Sequence, residues 1–396
     1  MNDVLTSGDE VRAAIGELGS VESVVIDGAD LTGAELEGAV FDEVRFMRCH
    51  MSGAKLAGAD FHGCLFDEVD LSDADLSGAL LTGADLRTCR FERARLAGAN
   101  LGGSKLAGLD LCGCDLTAAE LVQADLEGSR LDGATLTWAD LSGARLRDAG
   151  LSETDLRNTI LVGAFLGDAV LCDADLSGTN LSEAGLAGAD LRGAILADAD
   201  LRGLDLTSVS LAGADLTRAN LAGAILRNAT LGGCILHTAD LTGADLTGAV
   251  LSESDVTQAC FVGADLSGAS LLKATARAAD LSRADLSSAD LRGSDLRQAQ
   301  LVEATALKTC FELCRLEGAR LSAIDARGAS FEYADARYAN FDHAQLGLTN
   351  FNHASLRSAS IHRAETTGWK TRGADLGDLR KTDPDRAAAE DFTTGS

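Results

Sequence analysis

The chain has 396 residues, a formal net charge of −27, 43 glycines, a single proline and only 4% aromatic residues. So many small residues with so few rings exclude an ordinary mixed globular core and point to repetition of uniform parts. The acidic excess excludes direct nucleic-acid binding, which needs clustered Lys and Arg, and no apolar run is long enough to cross a bilayer.

Residues 1–20 lack the basic patch and apolar run of an export signal, so the expected location is the cytoplasm, with the ten cysteines reduced. Ser7 with Glu10 reads as a capping box ahead of a short helix carrying Val11, Ala14, Ile15 and Leu18 on one face. This segment is expected to cap the repeats that begin at residue 21, because an open solenoid end exposes unpaired backbone.

From residue 21 to 364 the chain keeps a period of five without one insertion. Stepping by five from Ile26 to Ile361 gives 68 positions, of which 50 are Leu and 10 are Phe. Two residues before each, 46 of the 68 are Ala and none is charged. Residues two apart on an extended chain share a side, so both face inward and the residue between them, most often Asp, faces out. Gly is frequent two positions after the centre, as at Gly33 and Gly58, where a tight turn is expected. Neither the 3.6-residue period of a helix nor the two-residue period of a simple strand explains this pattern.

The unit of small residue, Asp or Asn, Leu or Phe and two variable residues, as in Ala29-Asp30-Leu31 and Ala189-Asp190-Leu191, resembles the motif of the pentapeptide-repeat family. The resemblance implies an all-β fold: a right-handed quadrilateral β-helix with four repeats to a coil. That makes about 17 coils, on the order of 80 Å of stacked strands. Charge supplies a separate test of the coil length. Outward columns at spacing 20 alternate in sign: Asp70, Arg90, Asp110, Arg130; Asp75, Arg95, Asp115; Asp85, Lys105, Asp125, Arg145. Opposite charges on neighbouring strands help and like charges hurt.

Chemistry is sparse along the way. Cys49, Cys64, Cys89, Cys114, Cys234 and Cys314 take the inward small position and read as core filler. Ile160, Phe165 and Val170 occupy successive outward positions, with Val162 nearby, and are candidate contact residues. Asp245, Asp265 and Asp285 form an acidic column with no basic residue between them, a second candidate for a basic partner. His343 and His353 are ten residues apart, on opposite sides of a four-sided coil, which argues against a metal site with His362. No catalytic constellation, metal site or cofactor site is expected, and the chain reads as no enzyme.

Residues 365–396 are expected to form a cap and tail: Trp369 and Leu376 against the last coil, then Thr382, Asp383 and Pro384 opening a helix through Phe392. Trp369 is also a candidate contact, since small members of the family pair through a terminal coil and the resemblance therefore implies a possible homodimer. The segment from Ala354 to Pro384 resembles long pentapeptide-repeat proteins associated with bacterial type VI secretion. Together these readings point to a scaffold or adaptor for another protein, without nucleic acid or membrane as a direct ligand. The alternative implied by the family is a DNA mimic that binds gyrase and protects it from quinolones.

Overall fold

A computed structural model describes residues 4–394, and the chain divides into two compact units, residues 1–200 and 201–396. In each unit, outward residues form parallel bridges with the residue 20 positions later: Asp30↔His50 to Asn180↔Asp200 in the first, Asp205↔Ile225 to Ser360↔Arg380 in the second. Four five-residue steps therefore close one coil.

The backbone accounts for the regularity. The N–H of inward Leu31 donates to the carbonyl of His50 in the next coil (2.7 Å), and the N–H of His50 donates back to Ala29 (3.0 Å). The N–H of Ala34 turns the corner by donating to Leu31 (3.0 Å). Each repeat thus satisfies its polar backbone and leaves inward side chains to build the core. The corner residue sits at φ near +60°, as at Gly33 (φ 60), which Gly adopts without the steric cost of a Cβ.

At the N-terminus the elements are β1 (Val4–Leu5), α1 (Gly8–Leu18), β2 (Ser20–Glu22), β3 (Val25–Asp27), β4 (Val40–Asp42), β5 (Arg45–Met47) and β6 (Leu65–Asp67). One side of the first coils is the parallel sheet β1-β3-β5-β6, and β2 pairs with β4 on another. The capping box is present: the Ser7 hydroxyl accepts from the Glu10 N–H (3.3 Å), and the Glu10 carboxylate accepts from the Ser7 N–H (3.2 Å). Gly19 ends α1 in the left-handed region (φ 73). Val11 is fully buried, and Gly8 lies so close to the Asp30 carbonyl that no Cβ would fit. The Leu18 side chain lies outside the described residues.

The cores differ along the chain. In unit 1, Phe41 stacks on Phe61 and Phe46 on Phe66 (5.2 and 5.3 Å), after which the inward column is nearly all Leu. In unit 2, Phe311, Phe331 and Phe351 stack at 4.6 Å, and Phe341 meets Phe331 edge-on at 5.8 Å. The buried Ala326 and Ala336 fill the other two sides of that coil, so large and small residues compensate at nearly constant volume.

The boundary expected at residue 364 is corrected. Bridging continues through Gln345↔Glu365, Asn350↔Lys370, Ser355↔Asp375 and Ser360↔Arg380, because the ladder uses main-chain groups and tolerates Thr366 and Thr371 where Leu usually sits. Trp369 and Leu376 therefore belong to the last coil rather than packing on it. Trp369 takes an inward position edge-on to Phe351 (5.8 Å). The main-chain N–H groups of Thr366, Thr371 and Leu376 have no backbone acceptor among the described residues. The expected helix is α2 (Pro384–Thr394), capped by Asp383, whose carboxylate accepts from the N–H groups of Asp385 and Arg386 (2.9 and 3.1 Å). Its contacts go to Asp342, His343, His362 and Arg363 on one side of the last coils, while Leu376 stays 39% exposed.

Candidate functional site

The outward Asp has local work that its frequency alone does not reveal. Its carboxylate accepts the N–H two residues on, as in Asp70 to Ser72 (3.0 Å) and Asp175 to Ser177 (3.0 Å), an Asx-type bond that fixes the corner. Where Arg stands at that second position the pair becomes bidentate: Asp85–Arg87, Asp155–Arg157, Asp190–Arg192, Asp290–Arg292 and Asp335–Arg337. The Arg192 guanidinium holds the Asp190 carboxyl down at about 2. The recurring Asp-Leu-Arg tripeptide, with Asp-Ala-Arg at 335–337, was the sequence signal for these pairs. Pairing across coils also occurs, as in Asp110–Arg130 (2.7 Å) and Asp85–Lys105 (3.4 Å). Arg90 instead turns to Glu92 (3.2 Å) and Arg145 to Glu127 (2.7 Å).

Buried thiols are poor candidates for chemistry. Burial pushes Cys64 and Cys89 up to about 12, and Cys114 and Cys234 to about 11, far from the thiolate a nucleophile or metal ligand needs.

The apolar residues of one coil do not form one patch. Ile160 bridges Asp140 and Asn180, Phe165 bridges Arg145 and Gly185, and Val170 bridges Gly150 and Asp190. Each repeat turns one corner, so the three face three different sides, and no single flat partner reaches them all. Val162 is half-buried at a corner. Of the group, Phe165 is the outstanding member, 59% exposed. Gly185 comes next in the column with no side chain, leaving a shallow groove of about 530 Å³ lined by Phe165, Gly167, Gly185, Ala187, Glu127, Arg145 and Arg147. Both guanidiniums at its rim are paired, Arg145 with Glu127 and Arg147 with Asp168 (2.9 Å).

In unit 2 the acidic column stands as expected, with Asp245↔Asp265 and Asp265↔Asp285 in register. It is relieved at one end, where the Arg227 guanidinium bonds to the Asp245 carboxylate. The relief does not come from within the column; Arg227 reaches Asp245 from the corner of the preceding coil.

Sequence reasoning missed the corners of the coil running from 331 to 350. They carry Tyr333, Tyr338, His343 and Leu348, all at positive φ where Gly is usual, and Tyr333, Tyr338 and Leu348 are exposed. Tyr333 stacks on His353 at 4.9 Å, which places His353 on a different corner from His343. His343 instead approaches His362 (5.6 Å between rings), and both imidazoles converge on Glu390 of α2. The His362 Nδ1 accepts from the Asp383 N–H (3.1 Å), so its Nε2 carries the proton and donates to Glu390 (3.2 Å). A metal ligand needs the reverse arrangement, with Nε2 bare and Nδ1 donating. Arg386 and Arg363 also meet Glu390, at 2.9 and 3.4 Å. This is the chemistry of a hydrogen-bonded fastening for α2.

No helix among the described residues is long and apolar enough to cross a membrane.

Comparison with known proteins agrees with the repeat. A family model for a pentapeptide repeat region matches residues 24–101, and one for pentapeptide repeats in eight copies matches overlapping stretches from 94 to 352. No curated protein matches. Among solved structures, the full-length plasmid-mediated fluoroquinolone resistance protein QnrB1 is 20% identical, covering 50% of this chain and 92% of its own, at a TM-score of 0.24. HetL, a pentapeptide repeat protein involved in heterocyst differentiation regulation from the cyanobacterium Nostoc, is 26% identical, covering 72% and 96%, at a TM-score of 0.17. Rfr23 from the cyanobacterium Cyanothece is 29% identical, covering 26% and 63%, at a TM-score of 0.14. The family models over residues 24–352 and the four-sided coils lead to one conclusion: this chain belongs to the pentapeptide-repeat family of right-handed quadrilateral β-helices.

Proposed function

We propose that the chain is a non-enzymatic scaffold for another protein, with the Phe165 groove at the centre of the contact. The observation that carries this reading is a large ring held in water beside a position with no side chain. An exposed aromatic flanked by a cleft is the kind of anchor on which binding energy concentrates. The rest of the surface supports it: outward carboxylates are used on corners and guanidiniums rather than gathered around a reacting centre. The finer reading, an accessory to a type VI secretion machine, rests on the resemblance of residues 354–384, and the partner would then be a spike or effector component. The open last coil with Trp369 is where a second copy would add.

Unit 1 gives a specific reason to keep the second reading. It carries 36 acidic and 14 basic side chains, net −22, a field that a DNA-binding enzyme such as gyrase would meet as a DNA-like surface.

Affinity purification of the native complex with wild type and Phe165→Asp separates the two. The scaffold reading expects a partner whose recovery falls at least about tenfold in the variant, as for loss of an aromatic anchor. Recovery of a topoisomerase, unchanged by Phe165→Asp, supports the DNA-mimic reading and removes the groove.

A further inference from the structure

His362 is the least expected side chain on the surface. It stands one position after an inward residue, where most side chains are half or fully exposed, yet it is 2% exposed, less than Ser72 (8%) or Asp342 (5%) at the same position, because α2 lies over it. Its ring joins two turns of that segment. Nδ1 accepts the N–H of the helix cap Asp383, and Nε2 donates to Glu390, a separation of seven residues along α2. The other charged groups packed here are Asp342, His343 and Arg363 from the coils, and Arg386 and Asp391 from α2. Asp342 accepts from the Ser360 hydroxyl, the His362 N–H (3.0 Å) and Arg386 (2.8 Å).

We propose that α2 is a proton-sensitive clasp, fastened when His362 is neutral and released when its imidazole takes a second proton. The chemistry is specific to Nδ1. Once protonated, it faces the Asp383 N–H donor to donor, so the bond at the helix cap is lost and two like dipoles oppose each other. The charged ring would also join Arg363 and Arg386 around the single Glu390 carboxylate, whose attraction for it works against the loss at Nδ1 but is already shared with two guanidiniums. His343 also meets Glu390, at 3.4 Å, but its ring is 42% exposed, and exposed pairs of this kind contribute little.

The carboxylates do not confuse the sign. Burial disfavours the charged form of Asp342, but the Ser360 hydroxyl and Arg386 outweigh it and hold the carboxyl below its ordinary value. Burial of Glu390 is likewise outweighed by His362 and Arg386. Both therefore stay ionised between pH 7.5 and 5.5. The undocked state then binds a proton at His362 that the docked state excludes, so docking weakens as pH falls. One proton taken up only by the undocked state weakens docking by at most about tenfold per pH unit.

Hydrogen–deuterium exchange of the full chain tests this, using protection factors corrected for the chemical exchange rate at each pH. Protection of amides 387–391 should fall about tenfold between pH 7.5 and 5.5, while amides of the unit 1 coils stay unchanged. His362→Gln offers an acceptor and a donor without titrating and should remove the pH dependence. His343→Ala should keep it. Equal protection of α2 at the two pH values in wild type overturns the proposal. A fall that survives in His362→Gln, or disappears in His343→Ala, overturns it too. Should His362→Gln leave α2 undocked at both pH values, the wild-type fall and its survival in His343→Ala carry the assignment to His362.

Discussion

The two units repeat one five-residue step yet present different surfaces. Unit 1 carries net −22 and unit 2, with 25 acidic and 20 basic side chains, net −5. Their inward positions obey the same rule, and their outward and corner positions do not. The difference shows that the fold is fixed by the inward small residue, the inward Leu or Phe and the main-chain ladder, which leaves the outward side chains available for binding. Unit 1 places one ring, Phe165, beside a bare backbone position on a flat side. Unit 2 places Tyr333, Tyr338 and Leu348 on the corners of a coil whose fourth corner, His343, meets Glu390 of α2.

The largest expected effect sharpens the contrast between the cores. Phe331→Ala should destabilise unit 2 by about 3–5 kcal/mol, because the ring is fully buried between Phe311 and Phe351 and has only Ala on the adjoining sides. Ala336→Leu should cost about 1–3 kcal/mol alone by overpacking, and should recover part of the loss when combined with Phe331→Ala. Urea denaturation of the single and double variants checks this. Strictly additive losses would mean that the Phe and Ala positions do not share one volume.

A smaller effect separates the corners. Trp138 in unit 1 is 66% exposed at φ 63, so Trp138→Gly should stabilise by about 1 kcal/mol through relief of left-handed strain. Tyr333→Gly in unit 2 should gain less, since it also forfeits the stacked contact with His353, worth about 0.5–1.5 kcal/mol. Equal gains in thermal unfolding would show that the Tyr333–His353 stack contributes nothing.

Much of the fold was legible in the chain itself. The period of five set the inward positions, and the alternating columns set the coil at 20 residues, which the bridges reproduce. The separation of Ile160, Phe165 and Val170 onto three sides was already implied by that spacing. The end of the β-helix was not legible, because Thr366 and Thr371 break the Leu pattern without breaking the main-chain ladder. Nor was the meeting of His343, His362 and Glu390, since residues 28 and 47 positions apart come together only through the path of α2. The Asp-Leu-Arg pairs occupied a middle ground: the tripeptide was visible, but a strand reading only places residues two apart on one face without showing that Arg folds back on its own Asp.

The central claim is that the partner is held by unit 1 at the Phe165 groove, not by the aromatic corners of unit 2. Cross-linking mass spectrometry of the purified native complex tests it most directly. Cross-links to the partner are expected from Glu127, which lines the groove, and from Asp148 and Asp168, which meet the rim guanidinium of Arg147. Cross-links confined to the surroundings of Tyr333, Tyr338 and Leu348, with none near Phe165, would contradict it.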